Sequence, residues 1–137
     1  MPFYEIQHST PLTPEQRQSL AERITDLHAI TFTAPRLFVN VRFTSLANEE
    51  DYFYGGKQRP GTNRIVAFVR SGGSRSSEMM DKLAEEVEGI WDDVVKGSGG
   101  NGYEKVLQAV AIVPGLTTRE EGFAIPAVSS ALSVEES

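Results

Sequence analysis

The sequence predicts an α/β (α+β) fold of two tandem β-α-β units, forming a four-stranded mixed sheet with two helices on one face. Three features carry that expectation. Runs rich in β-branched and aromatic residues recur at Phe3–His8, Phe38–Phe43, Arg64–Arg70 and Lys105–Val113. A stretch with helical spacing and a capping residue separates the first run from the second, and the third from the fourth. The order strand, helix, strand therefore occurs twice, although the two halves share little residue by residue.

Each element has its own warrant. FYEIQH alternates, as a half-buried strand does. In TPLTPEQ, Thr13 is a good N-cap, Pro14 suits the first helical position and Gln16 stands where a capping-box partner belongs. A helix from Pro14 to about Ile30 follows, with Leu20, Ala21, Ile24, Leu27 and His28 spaced by three and four. Pro35 lies beyond its end, and the second strand comes next. SLANEEDYFYGGKQRPGTN carries turn residues at both ends, with Asp51–Tyr54 as a short edge strand or hairpin arm. RIVAFVR is the third strand and SGGSRSS a turn and cap. Glu78–Val95 is a helix that buries Met79, Met80, Leu83, Val87, Ile90, Trp91 and Val94 on one face. GSGGNG is a flexible loop, and KVLQAVAIV the fourth strand. Parallel strands joined by a crossover helix leave one sheet face uncovered. Here that face still carries apolar residues, which predicts self-association.

The 137 residues fit one domain, expected over 1–126, with a polar tail at 127–137. No apolar run approaches the ~18 residues of a membrane span, and no basic-then-apolar leader opens the chain, so a cytoplasmic location is expected. Cysteine is absent, which excludes disulfides, thiolate metal sites and cysteine nucleophiles. A net charge of −6 argues against nucleic acid or a membrane surface as partner. The two histidines have no metal-site spacing, and neither HExxH nor GxSxG occurs. GSGGNG lacks the Lys-Ser/Thr ending of a phosphate loop. No metal and no cofactor is expected.

The beginning of the first strand is the candidate site. Removal of Met1 would leave Pro2 as a free secondary amine; otherwise Pro2 is only a stiff first strand residue. A crossover helix returns to where its strand began, which brings His28 near Pro2. If the second unit pairs antiparallel to the first, the end of its leading strand, Arg70, lies there too. Arg75 follows at the start of the second helix, where free N–H groups also favour anions. Each has a plainer reading. His28 fits a buried histidine with a backbone partner, Arg70 a solvated strand end and Arg75 a cap shield. Glu120 fits an exposed charge in Arg119-Glu120-Glu121, and Tyr52, Phe53 and Tyr54 fit edge packing.

Taken together, MPFY, LTPEQRQSLAERITDLH, FYGGKQ, RIVAFVRSGGSRS and VPGLTTREEGFAIP resemble the tautomerase superfamily. The likeness is to its fused branch around cis-3-chloroacrylic acid dehalogenase and related fungal proteins, and it extends to about Pro126. It implies a tautomerase/MIF-like fold, a homotrimer and no cofactor. It also implies Pro2 as the reactive amine, His28 as the helix-end histidine, and Arg70 and Arg75 as carboxylate-binding arginines. Glu120 would handle water or a proton. Two departures stand out. SGGS is longer than the family's turn between the arginines. Ala109 stands where the dehalogenases carry a tyrosine; Tyr103 lies six residues too early to replace it. Without that phenol the likeness does not extend to dehalogenase activity itself.

An α-amino group has a reference pKa of about 7.7–8.0, close to working pH. A neutral prolyl nitrogen can move a proton between carbons of an enol or oxo acid. A protonated one can deliver a proton while Glu120 activates water, and the amine can also add to a carbonyl. The arginines would grip a carboxylate. The expected function is a tautomerase, isomerase or hydratase acting on a small unsaturated or oxo carboxylic acid. A catalytically silent trimeric scaffold that binds a carboxylate or a protein partner is the alternative.

Overall fold

In the computed structural model, which describes residues 2–46, 49–59, 61–98, 105–115, 118–120 and 123–125, each expected unit closes through a helix. Strand β1 (Phe3–His8) buries Tyr4, Ile6 and His8 on one face and leaves Phe3, Glu5 and Gln7 half-buried on the other. Helix α1 (Pro14–Phe32) starts as its residues dictate. The Gln16 amide donates to the Thr13 hydroxyl at 3.0 Å, and the Thr13 amide donates to the Gln16 side chain at 2.9 Å. These reciprocal bonds satisfy two N–H groups that the first turn leaves unpaired. Its inward stripe is Leu20, Ile24, His28 and Phe32, one residue every four. The helix runs two residues past the expected Ile30, to Phe32, and closes on Thr33 in the left-handed region at φ 52°.

Two strands are shifted by two residues from expectation, and the strand expected at 64–70 begins one residue early. Strand β2 is Asn40–Ser45 rather than 38–43, because Pro35 begins a 3-10 turn at Arg36–Phe38 and the Asn40 side chain donates back to the Phe38 carbonyl. Helix α2 (Ser77–Val94), capped by the Ser76 hydroxyl, buries Leu83, Val87, Ile90 and Trp91. Met79, Met80 and Val94 pack against this core only partly buried. The Trp91 indole N–H donates to the Lys105 carbonyl at 2.8 Å, which holds Lys105 against the helix. Two small hairpins pair β3 (Phe53–Tyr54) with β4 (Lys57–Gln58) and β7 (Thr118–Glu120) with β8 (Phe123–Ile125). Strand β5 spans Asn63–Arg70, and β6 is Leu107–Gly115 rather than 105–113. The tail at 127–137 and most of GSGGNG lie outside the described residues.

The main sheet has the order β2-β1-β5-β6. β1 runs parallel to β2, β5 parallel to β6, and β1 antiparallel to β5 with Phe3 opposite Phe68. Inward strand residues Tyr4, Ile6, Ile65, Ala67 and Val69 join Leu20, Ile24, Leu83, Val87 and Trp91 of the helices in one core. The other face of the sheet presents Phe3, Phe68 and Val113 in one row across β1, β5 and β6. Phe68 is 46% exposed and Val113 37%. No helix among the described residues is long and apolar enough to cross a membrane.

At the end of the sheet away from Pro2, Asn63 ties three segments together. Its carbonyl oxygen accepts from the Ser9 and Thr10 amides at 2.9 and 3.2 Å. Its amide donates to the Thr10 hydroxyl at 2.9 Å and the Val106 carbonyl at 3.1 Å. Apolar replacement would strand those partners in a closed environment, at about 1–3 kcal/mol for each group left unpaired. Asn63→Leu should therefore lower unfolding stability by roughly 2–4 kcal/mol in urea titrations. A change below ~0.5 kcal/mol would show that the latch carries little.

Candidate active site

Because β1 and β5 run in opposite directions, the beginning of one lies beside the end of the other. Pro2, just ahead of β1, has a fully buried side chain, and its carbonyl accepts from the Asn40 amide at 3.0 Å. Tyr4, two residues on and so on the same face, points into the core under α1. Its hydroxyl meets His28 Nδ1 at 2.8 Å, with the two rings edge-on at a centroid distance of 5.6 Å. Both residues are 0% exposed.

Phe32 follows His28 by one helical turn, and their ring centroids are 4.6 Å apart. The Arg75 guanidinium sits over the Phe32 ring at 4.2 Å, a cation–π contact, and donates to the Arg70 carbonyl at 3.1 Å. The SGGS turn makes this possible. Gly72 and Gly73 take φ values of 94° and 64°, which side chains resist, and the Arg75 amide closes on the Gly72 carbonyl at 3.2 Å. The turn folds the chain back, so Arg75 returns to the strand end it came from. Arg70, the last residue of β5, is itself buried.

The electrostatics follow from burial. His28 is pushed down to about 4, first by loss of solvent and then by the Arg75 charge, so its imidazole is neutral at ordinary pH. Burial pushes the Tyr4 phenol above its usual range, with Arg75 pulling the other way, so it stays protonated. Burial, and then Arg70, lower Arg75 while Tyr4 opposes them; a guanidinium nonetheless stays charged at any working pH. This end of the sheet thus sets a neutral imidazole and a neutral phenol beside the Arg75 cation, with the Arg70 charge next to Arg75. That arrangement favours an anion with acceptor oxygens.

Of the expected residues, His28 and Arg75 come together on either side of Phe32, Arg70 joins them through its carbonyl, which accepts from Arg75, and Pro2 lies at the same end of the sheet. Glu120 ends β7, opposite Phe123, and its side chain lies outside the described residues. Ala109 stands opposite Arg64, on the sheet face turned away from the helices. Among the described residues no cluster of His, Cys, Asp and Glu could hold a metal. An apolar groove between α1 and α2, lined by Leu27, Ile30, Met79 and Leu83, contains none of the site groups. Tyr4 and Phe32 escape a reading for chemistry because each fits the apolar pattern of its element. The available signal was spacing: Tyr4 shares a strand face with Pro2, and Phe32 follows His28 by four.

A family model described as "Putative oxalocrotonate tautomerase enzyme" matches residues 1–135. No curated protein sequence matches the chain. Among solved structures, a probable enzyme from the thermophilic fungus Aspergillus fumigatus is similar at 25% identity, covering 97% of this chain and 90% of its own, with TM-score 0.67. A member of the cis-3-chloroacrylic acid dehalogenase family is 23% identical over 91% of this chain and 84% of its own, TM-score 0.62. A fused 4-OT, solved as an asymmetric trimer, is 16% identical over 94% and 96%, TM-score 0.64.

Neutral burial of His28 makes stability depend on pH with a definite sign. Its folded value, about 4, lies below its ordinary 6.5, so the unfolded chain takes up the proton first. The stabilisation is complete above pH 6.5 and drains away as pH falls toward 4, reaching roughly 3 kcal/mol. Urea unfolding between pH 7.5 and 4 should show the wild type losing about that much more than His28→Gln. Parallel curves would contradict it.

Proposed function

The chain belongs to the tautomerase family whose model spans residues 1–135, and we propose that it is an amino-terminal-proline tautomerase or isomerase, or a hydratase of the same build. Its substrate is a small unsaturated or oxo carboxylic acid, and no cofactor takes part. The observation that carries this reading is Arg75 bonded to the Arg70 carbonyl, beside a buried neutral imidazole, where β1 begins. An anion binding there meets two cations, one at the end of β5 and one set against the Phe32 ring.

In this reading Met1 is removed and the Pro2 nitrogen becomes the base. It takes a proton from one carbon or enol oxygen of the bound acid and returns it further along the conjugated system. The arginines hold the carboxylate and draw electron density toward it as charge develops. His28 stays uncharged throughout. Glu120 is the residue that would orient water if hydration rather than isomerisation occurs. The unit at work is the single domain over 1–126, with 127–137 as a tail. The trimeric assembly of the fused 4-OT relative supports a homo-oligomer, and we assign a homotrimer joined through the outer sheet face.

Ala109 favours a second reading, a scaffold that binds a carboxylate or a protein without turning it over. Intact mass of untagged protein, followed by ketonisation of enol-phenylpyruvate, separates the two. The enzyme reading expects loss of Met1 and turnover. Pro2→Ala should lower kcat by about 100-fold or more, the scale of general acid–base catalysis. Arg75→Ala should reduce kcat/KM by roughly 10–100-fold, the loss of one charge-assisted contact. Full mass with no turnover would establish the scaffold instead. Phe68→Glu should convert the assembly to monomers in sedimentation velocity; an unchanged assembly would exclude this face as the interface.

A further inference from the structure

His28 is fully buried, yet one of its two ring nitrogens has a partner and the other has none. Nδ1 meets the Tyr4 hydroxyl at 2.8 Å, while Nε2 is closed to solvent and has no hydrogen-bond partner among the described residues. The two tautomers differ in what they leave unpaired. If Nδ1 carried the proton, the Tyr4 oxygen would have to accept it. The phenolic proton and a bare Nε2 would then both be stranded. If Tyr4 donates to Nδ1, a single donor remains, the Nε2–H. Each stranded buried group is costly, so the second arrangement prevails. Imidazole geometry points that N–H away from Tyr4. It lies in a ring that borders Phe32, whose face carries Arg75.

We infer that Tyr4 is a positioning residue that locks His28 in its Nε2–H tautomer, so that His28 offers the substrate a neutral hydrogen-bond donor rather than a base. That N–H is sealed here, so an acid held by the arginines must displace the groups that cover it before a carboxylate or carbonyl oxygen can accept from it. A hydroxyl proton or an ammonium group at that point would face a donor and be rejected. The inference rests on the functional reading above for the ligand, but the tautomer itself does not depend on turnover. Burial agrees with it, since it keeps both phenol and imidazole uncharged.

Nitrogen-15 NMR of His28 in the whole protein tests this at pH 7. The expected spectrum has a bare Nδ1 and a protonated Nε2, with the Tyr4 hydroxyl proton visible as a slowly exchanging signal close to His28. A protonated Nδ1 or an imidazolium would overturn the inference, whether or not any variant folds. Tyr4→Phe keeps the ring and removes the donor; it should give nitrogen shifts averaged between the tautomers, and a kcat/KM lower by roughly tenfold. An unaltered single tautomer in that variant would also overturn it. Added phenylpyruvate should move the Nε2 proton downfield. No movement at a concentration that shifts the arginine side-chain signals would remove His28 as the donor. Absence of turnover in the wild type would count against the enzyme and leave the nitrogen spectrum to decide the tautomer.

Discussion

The antiparallel seam between β1 and β5 sets almost everything else. Each β-α-β unit, taken alone, is a parallel pair with a helix across it and a strand end that leads nowhere in particular. Joining the two units head to tail puts the opening residues of one strand against the closing residues of the other. Pro2 and Arg70 share an edge for that reason. The same seam carries Ile6 against Ile65 and Tyr4 against Ala67 in the core, so pairing and burial favour one register. A slip by one residue would turn Tyr4 outward and separate it from His28.

The buried polar groups among the described residues fall at the two ends of the sheet. Asn63 closes the end of the sheet remote from the candidate site with backbone and side-chain bonds to Ser9, Thr10 and Val106. His8, also buried, spends its Nδ1 on the Thr10 carbonyl at 2.8 Å and is part of that structural end. Among the described residues His28 has no backbone partner: its Nδ1 meets a phenol, and its Nε2 lacks a hydrogen-bond partner, which is uncommon for a buried polar atom. The two histidines therefore separate by their bonding, not by their burial.

Much of this was legible beforehand, for local reasons. The capping box at Thr13 and Gln16 and the Ser-rich start of α2 depend on side chains that bond to adjacent backbone, so sequence alone reveals them. The doubled strand-helix-strand order was equally plain. The strand ends were not, since β2 is delayed by a 3-10 turn after Pro35 and β6 by the hold of Trp91 on Lys105. Those are tertiary events. At the site, His28, Arg70 and Arg75 followed from topology. Tyr4 and Phe32 did not, because an aromatic in an apolar stripe looks the same whether it fills space or steers a neighbour. Glu120 was reached through family likeness, and its side chain lies outside the described residues.

The two-glycine turn between Arg70 and Arg75 has a consequence for how this scaffold could diversify. The loop contributes no buried side chain of its own, and it delivers one cation to the Phe32 ring from outside the core. Its length governs how far that charge reaches, while the helix and strand on either side stay packed. Insertions or deletions there would move that charge without disturbing the hydrophobic interior. The placement of the cation and the packing of the fold are thereby inherited on separate pieces of chain.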